Sequence, residues 1–181
     1  MRKLNNNELN RITVEEYKNA KKTPIVIVLD NVRSAHNVGA IFRTSDAFLI
    51  DKIFLCGITP CPPNNEIRKS ALGSTNSVDW AYESDTNNIL NNLKKSGYRI
   101  VGVEQVENST KLSNYEPKQP TALIFGHEVD GINQEVINSC DEFLEITQLG
   151  TKHSLNISVC AGIVIYNCLL YTSDAADDSQ C

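Results

Sequence analysis

Three polar segments of this chain contain residue types that catalytic and ligand-binding sites use. The first carries Asn37 and Arg43, the second Glu128, and the third Ser154 and Asn156. Each segment also holds a histidine, so we consider two alternatives: a metal site formed by three imidazoles, and a hydrolase with a Ser–His–Asp triad. No histidine pair has helical ligand spacing, and Ser154 lacks the Gly-x-Ser-x-Gly turn of such hydrolases. We therefore interpret the histidines as polar lining residues and expect no metal.

The first segment places a glycine between two polar side chains of a predicted helix. Asn37 and Arg43 are six residues apart, close to two helical turns, and Gly39 lies between them. A glycine there permits the close approach of another backbone or of a ligand. The alternative is that Asn37 caps the helix and Arg43 forms a surface ion pair.

The second and third segments follow predicted strands. Gly126 suits tight backbone contact with a flat ligand, and Glu128 supplies a carboxylate at the same strand exit. Ser154 precedes a long apolar helix that it could simply cap, which would leave backbone N–H groups free to face an anion. A Gly-x-Glu sequence is common in loops, so it indicates a site only in combination with the other two segments.

The hydrophobic pattern predicts strands that alternate with helices. Strands are predicted at 25–29, 52–56, 77–81, 98–104, 121–125 and 142–146. Helices are predicted at 13–22, 36–48, 65–72, 86–96, 133–139 and 154–170, the first from the capping-box spacing of Thr13 and Glu16. This order predicts an α/β fold with a mostly parallel sheet and helices on both faces. The polar segments lie where strands end, which is where open α/β sheets build their sites.

The composition is that of one globular domain, with 41% hydrophobic and 22% charged residues among 181. The chain shows neither a secretory signal pattern nor an apolar run of the roughly 20 residues that a membrane-spanning helix needs, so we expect a cytoplasmic protein. Its six cysteines are then expected to be reduced thiols. The net charge is −5, yet residues 1–46 hold eight Lys or Arg against five Asp or Glu. That excess predicts either a local phosphate-attracting patch or a solvated helix face.

Taken together and in order, the three segments resemble the three motifs of the SpoU (TrmH-like) family of the SPOUT methyltransferase superfamily. The matching stretches read N-V-R-S-x-H-N-V-G-x-I-F-R-T, F-G-H-E-V-x-G-I and S-L-N-I-S-V-x-A-G-I. The resemblance covers about residues 24–168. It implies a SPOUT-type fold with a C-terminal deep trefoil knot, a homodimer, S-adenosylmethionine as cofactor and methyl transfer to a ribose 2′-hydroxyl of RNA.

The resemblance also implies roles for individual residues. Positions associated with catalysis and structure match Arg43, Asn37, Glu128, Ser154 and Asn156. Positions expected to contact the cofactor are Leu123, Gly126, Ile146, Leu149 and Leu155. Contacts to RNA are expected from the basic N-terminal helix and the first motif, namely from Arg11, Lys18, Lys21, Lys22, Arg33 and His36.

Arg43 is the residue we expect to matter most for catalysis. A ribose hydroxyl is a poor nucleophile, so its proton must be removed or its developing charge stabilised. The family proposal makes this arginine a base, activated by an RNA phosphate and neighbouring residues. Because a guanidinium is almost always protonated, we favour a role in which Arg43 orients the phosphate and stabilises the alkoxide. Asn37 would then hold Arg43 in place, and Ser154 and Asn156 would shape the knot and the ribose pocket.

Three parts of the chain are expected. Residues 1–23 form a basic helical extension, 24–170 the methyltransferase domain, and 171–181 a disordered or artefactual tail. About 23 residues precede the first strand, which favours tRNA over rRNA as substrate. Dimerisation through the apolar face of helix 154–170 is expected to place the basic first segment of one subunit beside the knot of the other.

Two other functions compete with this prediction. One is a catalytically silent, knotted RNA-binding or ribosome-assembly protein, and the joint presence of Arg43, Asn37 and Ser154 counts against it. The other is methylation of a base, which is disfavoured because the arginine of the first motif is the signature of ribose methylation in the family.

Overall fold

A computed structural model describes residues 1–177 of the chain. Its strands are β1 (Thr23–Asp30), β2 (Ile50–Cys56), β3 (Asp79–Glu83), β4 (Arg99–Val103), β5 (Thr110–Lys111), β6 (Thr121–Phe125) and β7 (Glu142–Glu145). Its helices are α1 (Val14–Asn19), α2 (Ala35–Ala47), α3 (Asn65–Ala71), α4 (Thr86–Lys95), α5 (Gln134–Ile137) and α6 (Ile157–Asp177). Each of the six predicted strands and six predicted helices is present, with ends that differ by a few residues.

The seven strands of the described chain form one parallel sheet in the order β3-β2-β1-β6-β4-β7-β5. The predicted parallel α/β architecture is therefore confirmed. The pattern missed β5, because two residues are too short a run to show alternation. The trefoil knot stays a prediction, because strand order alone does not give the path of the chain through its loops.

Both faces of the sheet are covered, as predicted. Along β1, Ile25, Ile27 and Leu29 pack into a core shared with α2, α3 and α6. The intervening Val26 and Val28 pack into a second core under α4 and α5. A strand buried on both sides reads as a continuous apolar run, which is why Ile25–Leu29 carried so clear a signal.

Helix α2 lies unusually close to α3 at Gly39. A Cβ atom on this glycine would come within 2.1 Å of Ser70 Oγ and 2.5 Å of the Ile67 carbonyl oxygen. Of the two alternatives for Gly39, close approach of another backbone is therefore the one the structure shows. The glycine therefore packs the two helices together.

The N-terminal helix α1 begins as predicted and ends early. Thr13 Oγ1 accepts the Glu16 N–H at 3.2 Å, and Glu16 Oε2 accepts the Thr13 N–H at 2.6 Å. The helix stops at Asn19 because the chain turns there and the Lys22 ammonium donates to carbonyls at its end, including that of Ala20 at 3.0 Å. Buried Tyr17 anchors α1 to the core by donating to the Ile50 carbonyl at 3.1 Å.

The C-terminal helix α6 continues to Asp177, past the predicted end at Leu170. Part of the segment expected to form a tail is therefore helical, and residues 178–181 lie outside the described residues. Among the helices of the described chain, none combines the length and apolarity needed to cross a membrane.

Candidate active site

A cavity of about 1030 Å³ opens at the carboxyl edge of the sheet, beside the ends of β4, β6 and β7. The loops that follow these three strands line it, together with the start of α6. The volume is at the upper end of the range usual for small-molecule and cofactor sites. Strand ends that are distant in sequence therefore build one cavity, as the sequence predicts for a parallel sheet.

Three of the five residues expected to contact the cofactor line this cavity: Gly126, Ile146 and Leu155. Leu123 does not, because it lies within β6, two residues before the end of the strand, and is fully buried in the core. Leu149 does not either, since it is 96% exposed and lies outside the lining. The structure thus keeps the cavity and removes Leu123 and Leu149 from its wall.

Gly126 allows the loop after β6 to pack closely on itself. A Cβ atom there would lie 2.3 Å from both the Gly131 carbonyl carbon and the Ile132 nitrogen. The loop folds back on itself, and His127 and Gly131 exchange two backbone hydrogen bonds of 2.9 Å. The missing side chain therefore makes room for the chain's own loop, and Gly126 also lines the cavity, so its contact with a ligand stays a prediction.

A chain of side-chain hydrogen bonds joins the three polar segments. Asn37 Nδ2 donates to Glu128 Oε1 at 3.1 Å, and Asn156 Nδ2 donates to Asn37 Oδ1 at 3.1 Å. The Asn37 side chain is buried, with an exposed fraction of 7%, and both of its polar atoms form hydrogen bonds within the protein. Three residues predicted to act together are thus brought into contact, with Asn37 at the centre.

Glu128 also holds the start of α2. Its two carboxylate oxygens accept the backbone N–H groups of Arg33 and Ser34, each at 2.9 Å. Burial alone raises the pKa of Glu128, but these bonds and the Asn37 amide outweigh it and leave the pKa below its ordinary value. A carboxylate held this way is a structural acceptor at the positive end of a helix.

The helix caps differ from the two alternatives the sequence offered. Ser34 caps α2 by accepting the Asn37 N–H at 3.3 Å, so Asn37 is not the cap. At α6, Asn156 Oδ1 accepts the Ser158 N–H at 2.9 Å, so the cap is Asn156 instead of Ser154. Ser154 is exposed and lines the cavity.

Arg43 lies outside the cavity of its own chain. Six residues along a helix correspond to a rotation of roughly 240° and a rise of about 9 Å, so Arg43 and Asn37 point to different faces of α2. Arg43 is exposed and makes neither an ion pair nor a side-chain hydrogen bond with any residue the structure describes. Its guanidinium is therefore available to an external anion, and the surface ion pair considered as the alternative is absent from the described chain.

The cavity wall is acidic and apolar. Its carboxylates are Glu104, Glu128, Asp130 and Glu145, and none of the described lining residues is Lys or Arg. Apolar side chains complete the wall, among them Ile132, Ile146 and Leu155. Such a wall suits a ligand that carries a positive charge and an apolar ring.

Glu104 and its neighbour Gln105 belong to this wall, and the sequence reasoning did not identify them. The signal that could have found them was present, since they follow β4 directly, as Glu128 follows β6. The described residues contain no group of three His, Cys, Asp or Glu side chains placed to hold a metal ion.

Of the residues expected to contact RNA, two are engaged within the protein. Lys18 forms an ion pair with Asp79, and Lys22 caps the end of α1. The other four are exposed, namely Arg11, Lys21, Arg33 and His36.

Comparison with known proteins adds three findings. A Staphylococcus saprophyticus protein assigned to the TrmH family of tRNA/rRNA methyltransferases is 30% identical over 84% of this chain, which spans about 61% of that relative's length. A crystal structure of an AdoMet-bound rRNA methyltransferase from Sinorhizobium meliloti is 25% identical, with a TM-score of 0.75 over 83% of this chain and 58% of that one. A structure described as giving insight into 2-OH methylation of C/U34 on tRNA is 20% identical, with a TM-score of 0.73 over 84% of this chain and 99% of that one.

The family model described as the SpoU rRNA methylase family matches residues 24–166. This match spans all three polar segments and every strand of the sheet except the first residue of β1. The chain belongs to the SpoU rRNA methylase family.

Proposed function

We propose that this chain transfers a methyl group from S-adenosylmethionine to a ribose 2′-hydroxyl of RNA. The observation that carries the proposal is the contact of Asn37 with both Glu128 and Asn156, which joins the three motif segments of a SpoU-family chain beside one cavity. One of the similar solved structures is described as AdoMet-bound, and another as concerned with 2-OH methylation of C/U34 on tRNA.

The cavity wall fits the proposed cofactor. When bound, S-adenosylmethionine supplies an electrophilic methyl group on a positively charged sulfur. Glu104 and Asp130 give the wall negative charge, while Ile132, Ile146 and Leu155 give it apolar surface for an adenine ring. The absence of Lys and Arg from the described wall avoids repulsion of a cationic ligand.

The position of Arg43 supports a homodimer. Because this side chain points away from the cavity of its own chain, we propose that it serves the cavity of a second copy. Helix α6 offers the surface for such pairing: Val159, Ile163 and Tyr166 form an apolar stripe and are 52%, 41% and 52% exposed. Their spacing of four and three residues is that of a helix seam.

The apolar stripe lies close to Arg43. Helix α6 packs against α2, and a Cβ atom on Gly162 would lie 4.0 Å from Cγ2 of Thr44, the residue after Arg43. Docking of two copies along the stripe would therefore bring Arg43 into the interface. We propose that the complete site contains residues of both copies.

In this site Arg43 acts on the RNA and not on the cofactor. A guanidinium presents a fork of donors to a phosphate and stays protonated, so it orients the RNA backbone and stabilises the developing alkoxide. The proton of the ribose hydroxyl leaves through a phosphate oxygen or water. Glu128 does not serve as the base, because its oxygens accept three hydrogen bonds, two from the Arg33 and Ser34 N–H groups before α2 and one from Asn37 within it.

We propose tRNA as the substrate class. The similar chain described for tRNA is matched over 99% of its length, so this chain shares the whole of that protein's fold. The exposed cations Arg11, Lys21 and Arg33 supply phosphate contacts that need not read sequence. A homodimer would present two such sets of charges.

The test is to incubate purified protein with methyl-labelled S-adenosylmethionine and either total tRNA or total rRNA. Labelled tRNA that resists alkaline cleavage at the labelled nucleotide supports ribose 2′-O-methylation, because alkaline cleavage needs a free 2′-hydroxyl. Label that leaves the RNA fully alkali-sensitive would identify base methylation. RNA binding without label transfer would favour the catalytically silent alternative.

A further inference from the structure

Two consecutive residues after β4 reach the two other loops of the cavity. Glu104 Oε2 accepts the backbone N–H of Ile132, in the loop after β6, at 3.1 Å. Gln105 Nε2 donates to the backbone carbonyl of His153, in the loop after β7, at 2.8 Å. The pair therefore connects three loops that are each contributed by a different strand.

The loop after β6 is shaped to receive Glu104. Gly131 has a φ of +71°, a conformation that side-chain-bearing residues rarely adopt, and a Cβ atom there would lie 2.3 Å from Glu104 Oε2. The second oxygen, Oε1, accepts the N–H of Gln105 at 2.8 Å. Both carboxylate oxygens are thus used, one on the neighbouring loop and one on the residue that holds the third loop.

The loop after β7 needs such support. Residues 146–156 contain no helix or strand, and residues 149–156 are exposed. Two described side-chain hydrogen bonds tie this segment to the rest of the protein: Gln105 donates to the His153 carbonyl, and Asn156 donates to Asn37 of α2. Ordering an irregular segment at the moment of ligand binding weakens affinity, whereas a preorganised segment avoids that cost.

We propose that Glu104 and Gln105 are positioning residues that hold the loops after β6 and β7 at the separation that S-adenosylmethionine requires. This inference rests on the proposed function, and it assigns the pair no part in RNA binding or in proton transfer. Arg43 lies on a different face of α2 from Asn37 and does not line this cavity. The pair therefore controls cofactor affinity separately from the catalytic step.

The test compares Glu104→Gln and Gln105→Leu with Glu107→Gln. Glutamine at 104 keeps the shape but has one acceptor oxygen instead of two, and leucine at 105 removes the amide donor. Glu107 is exposed and outside the cavity, so Glu107→Gln is the matched control for loss of a carboxylate. Calorimetry with S-adenosylmethionine gives Kd, and steady-state assays with tRNA give kcat and both KM values.

We expect each of the two variants to raise the Kd and the KM for S-adenosylmethionine by about tenfold. We expect kcat at saturating cofactor and the KM for tRNA to stay within about twofold of the wild type. The unfolding midpoint without cofactor should stay within a few degrees of the wild type. Glu107→Gln should change none of these. Should Glu104→Gln fail to fold, Gln105→Leu still tests the contact with the loop after β7, and Glu104→Gln tests the contact with the loop after β6 if the leucine variant fails.

The outcomes separate this inference from the proposed function. Wild-type protein that binds no S-adenosylmethionine would defeat the proposed function. Wild-type protein that binds it, together with variants of unchanged Kd, would defeat the positioning role alone. A variant in which kcat, cofactor affinity and the unfolding midpoint all fall would also overturn the positioning role, since such a result would indicate general destabilisation.

Discussion

Asn37 donates its side-chain amide to the carboxylate of Glu128 at 3.1 Å, across 91 positions of sequence. The same carboxylate accepts two backbone N–H groups at the start of α2. One side chain of the cavity loop thus fixes both the beginning of α2 and the amide that lies at the centre of the three motifs. The residue is better described as a support of the site than as a base.

Replacing Glu128 by glutamine tests this support through pH. Because hydrogen bonds hold the pKa of Glu128 below its ordinary value, its stabilising contribution is present at neutral pH and is lost as the pH falls through the folded-state pKa. We expect Glu128→Gln to lower the free energy of unfolding by roughly 1–3 kcal/mol at pH 7. The gap to wild type should shrink as the pH is lowered from 7 through the folded-state pKa of Glu128, which lies below the ordinary value for glutamate.

Urea denaturation across this pH range makes the measurement, with Glu116→Gln as control. Glu116 is exposed, so its substitution should leave the pH dependence unchanged. A gap between wild type and Glu128→Gln that persists at low pH would argue against ionised Glu128 as the source.

Replacing Arg43 by alanine tests the proposed catalytic group. Loss of a group that stabilises developing negative charge should lower the rate of methyl transfer by about 100- to 1,000-fold. Affinity for S-adenosylmethionine, measured by calorimetry, should be nearly unchanged because Arg43 does not line the cavity of its own chain. Arg68→Ala, on exposed surface of α3, is the control for loss of one positive charge.

An intermediate rate is expected for Arg43→Lys, because lysine keeps the charge but not the fork of donors. Arg43→Ala with normal turnover would remove Arg43 from the mechanism. Equal loss of turnover and cofactor binding would instead indicate misfolding.

Charges placed on the apolar stripe of α6 test the homodimer. Ile163→Glu should give a monomer by sedimentation velocity, because a carboxylate cannot be buried in an apolar interface without a partner. RNA methylation should be lost with the dimer. Ile58→Glu introduces the same charge at a residue that is 64% exposed elsewhere, and should remain dimeric and active. A monomeric variant with full activity would refute a site shared between two copies.

Two helical glycines make a matched pair for stability. Gly39→Ala places a methyl group 2.1 Å from Ser70 Oγ and 2.5 Å from a backbone oxygen, so we expect a loss of roughly 1–3 kcal/mol. Gly162→Ala meets no atom closer than 4.0 Å and should be neutral or stabilise by about 0.5–1 kcal/mol. Urea denaturation of both proteins measures the difference, and equal effects would contradict the close packing of α2 on α3.

The sequence predicts the sheet well because its strands are buried on both faces. Ile25–Leu29 and Thr121–Phe125 are continuous apolar runs, and such runs have few other readings between turn signals. The family resemblance also groups Asn37, Glu128 and Asn156 as site residues. The expected contact of Asn37 with Arg43 is wrong, because both polar atoms of the Asn37 side chain bond to Glu128 and Asn156. The mutual distances of these three residues and the bonds from the Arg33 and Ser34 N–H groups to Glu128 depend on loop paths that no periodicity encodes.

Other features were beyond the sequence for a physical reason. The resemblance predicts cofactor contact for Leu123, Leu149 and Leu155 alike. Leu123 is nevertheless buried in the core and Leu149 is exposed, because burial depends on how the strand and the loop pack. Glu104 and Gln105 lack a recognisable motif, and their importance emerges from contacts with residues 28 and 48 positions away.

Asn156 begins α6 and at the same time bonds to Asn37, so the helix that carries the apolar stripe starts at the residue that closes the motif network. We propose that cavity occupancy and pairing of two copies along the stripe are coupled through Asn156. Thermodynamic reciprocity then makes the factor by which occupancy changes subunit association equal to the factor by which association changes occupancy. Self-association measured with and without S-adenosylhomocysteine would give that factor directly.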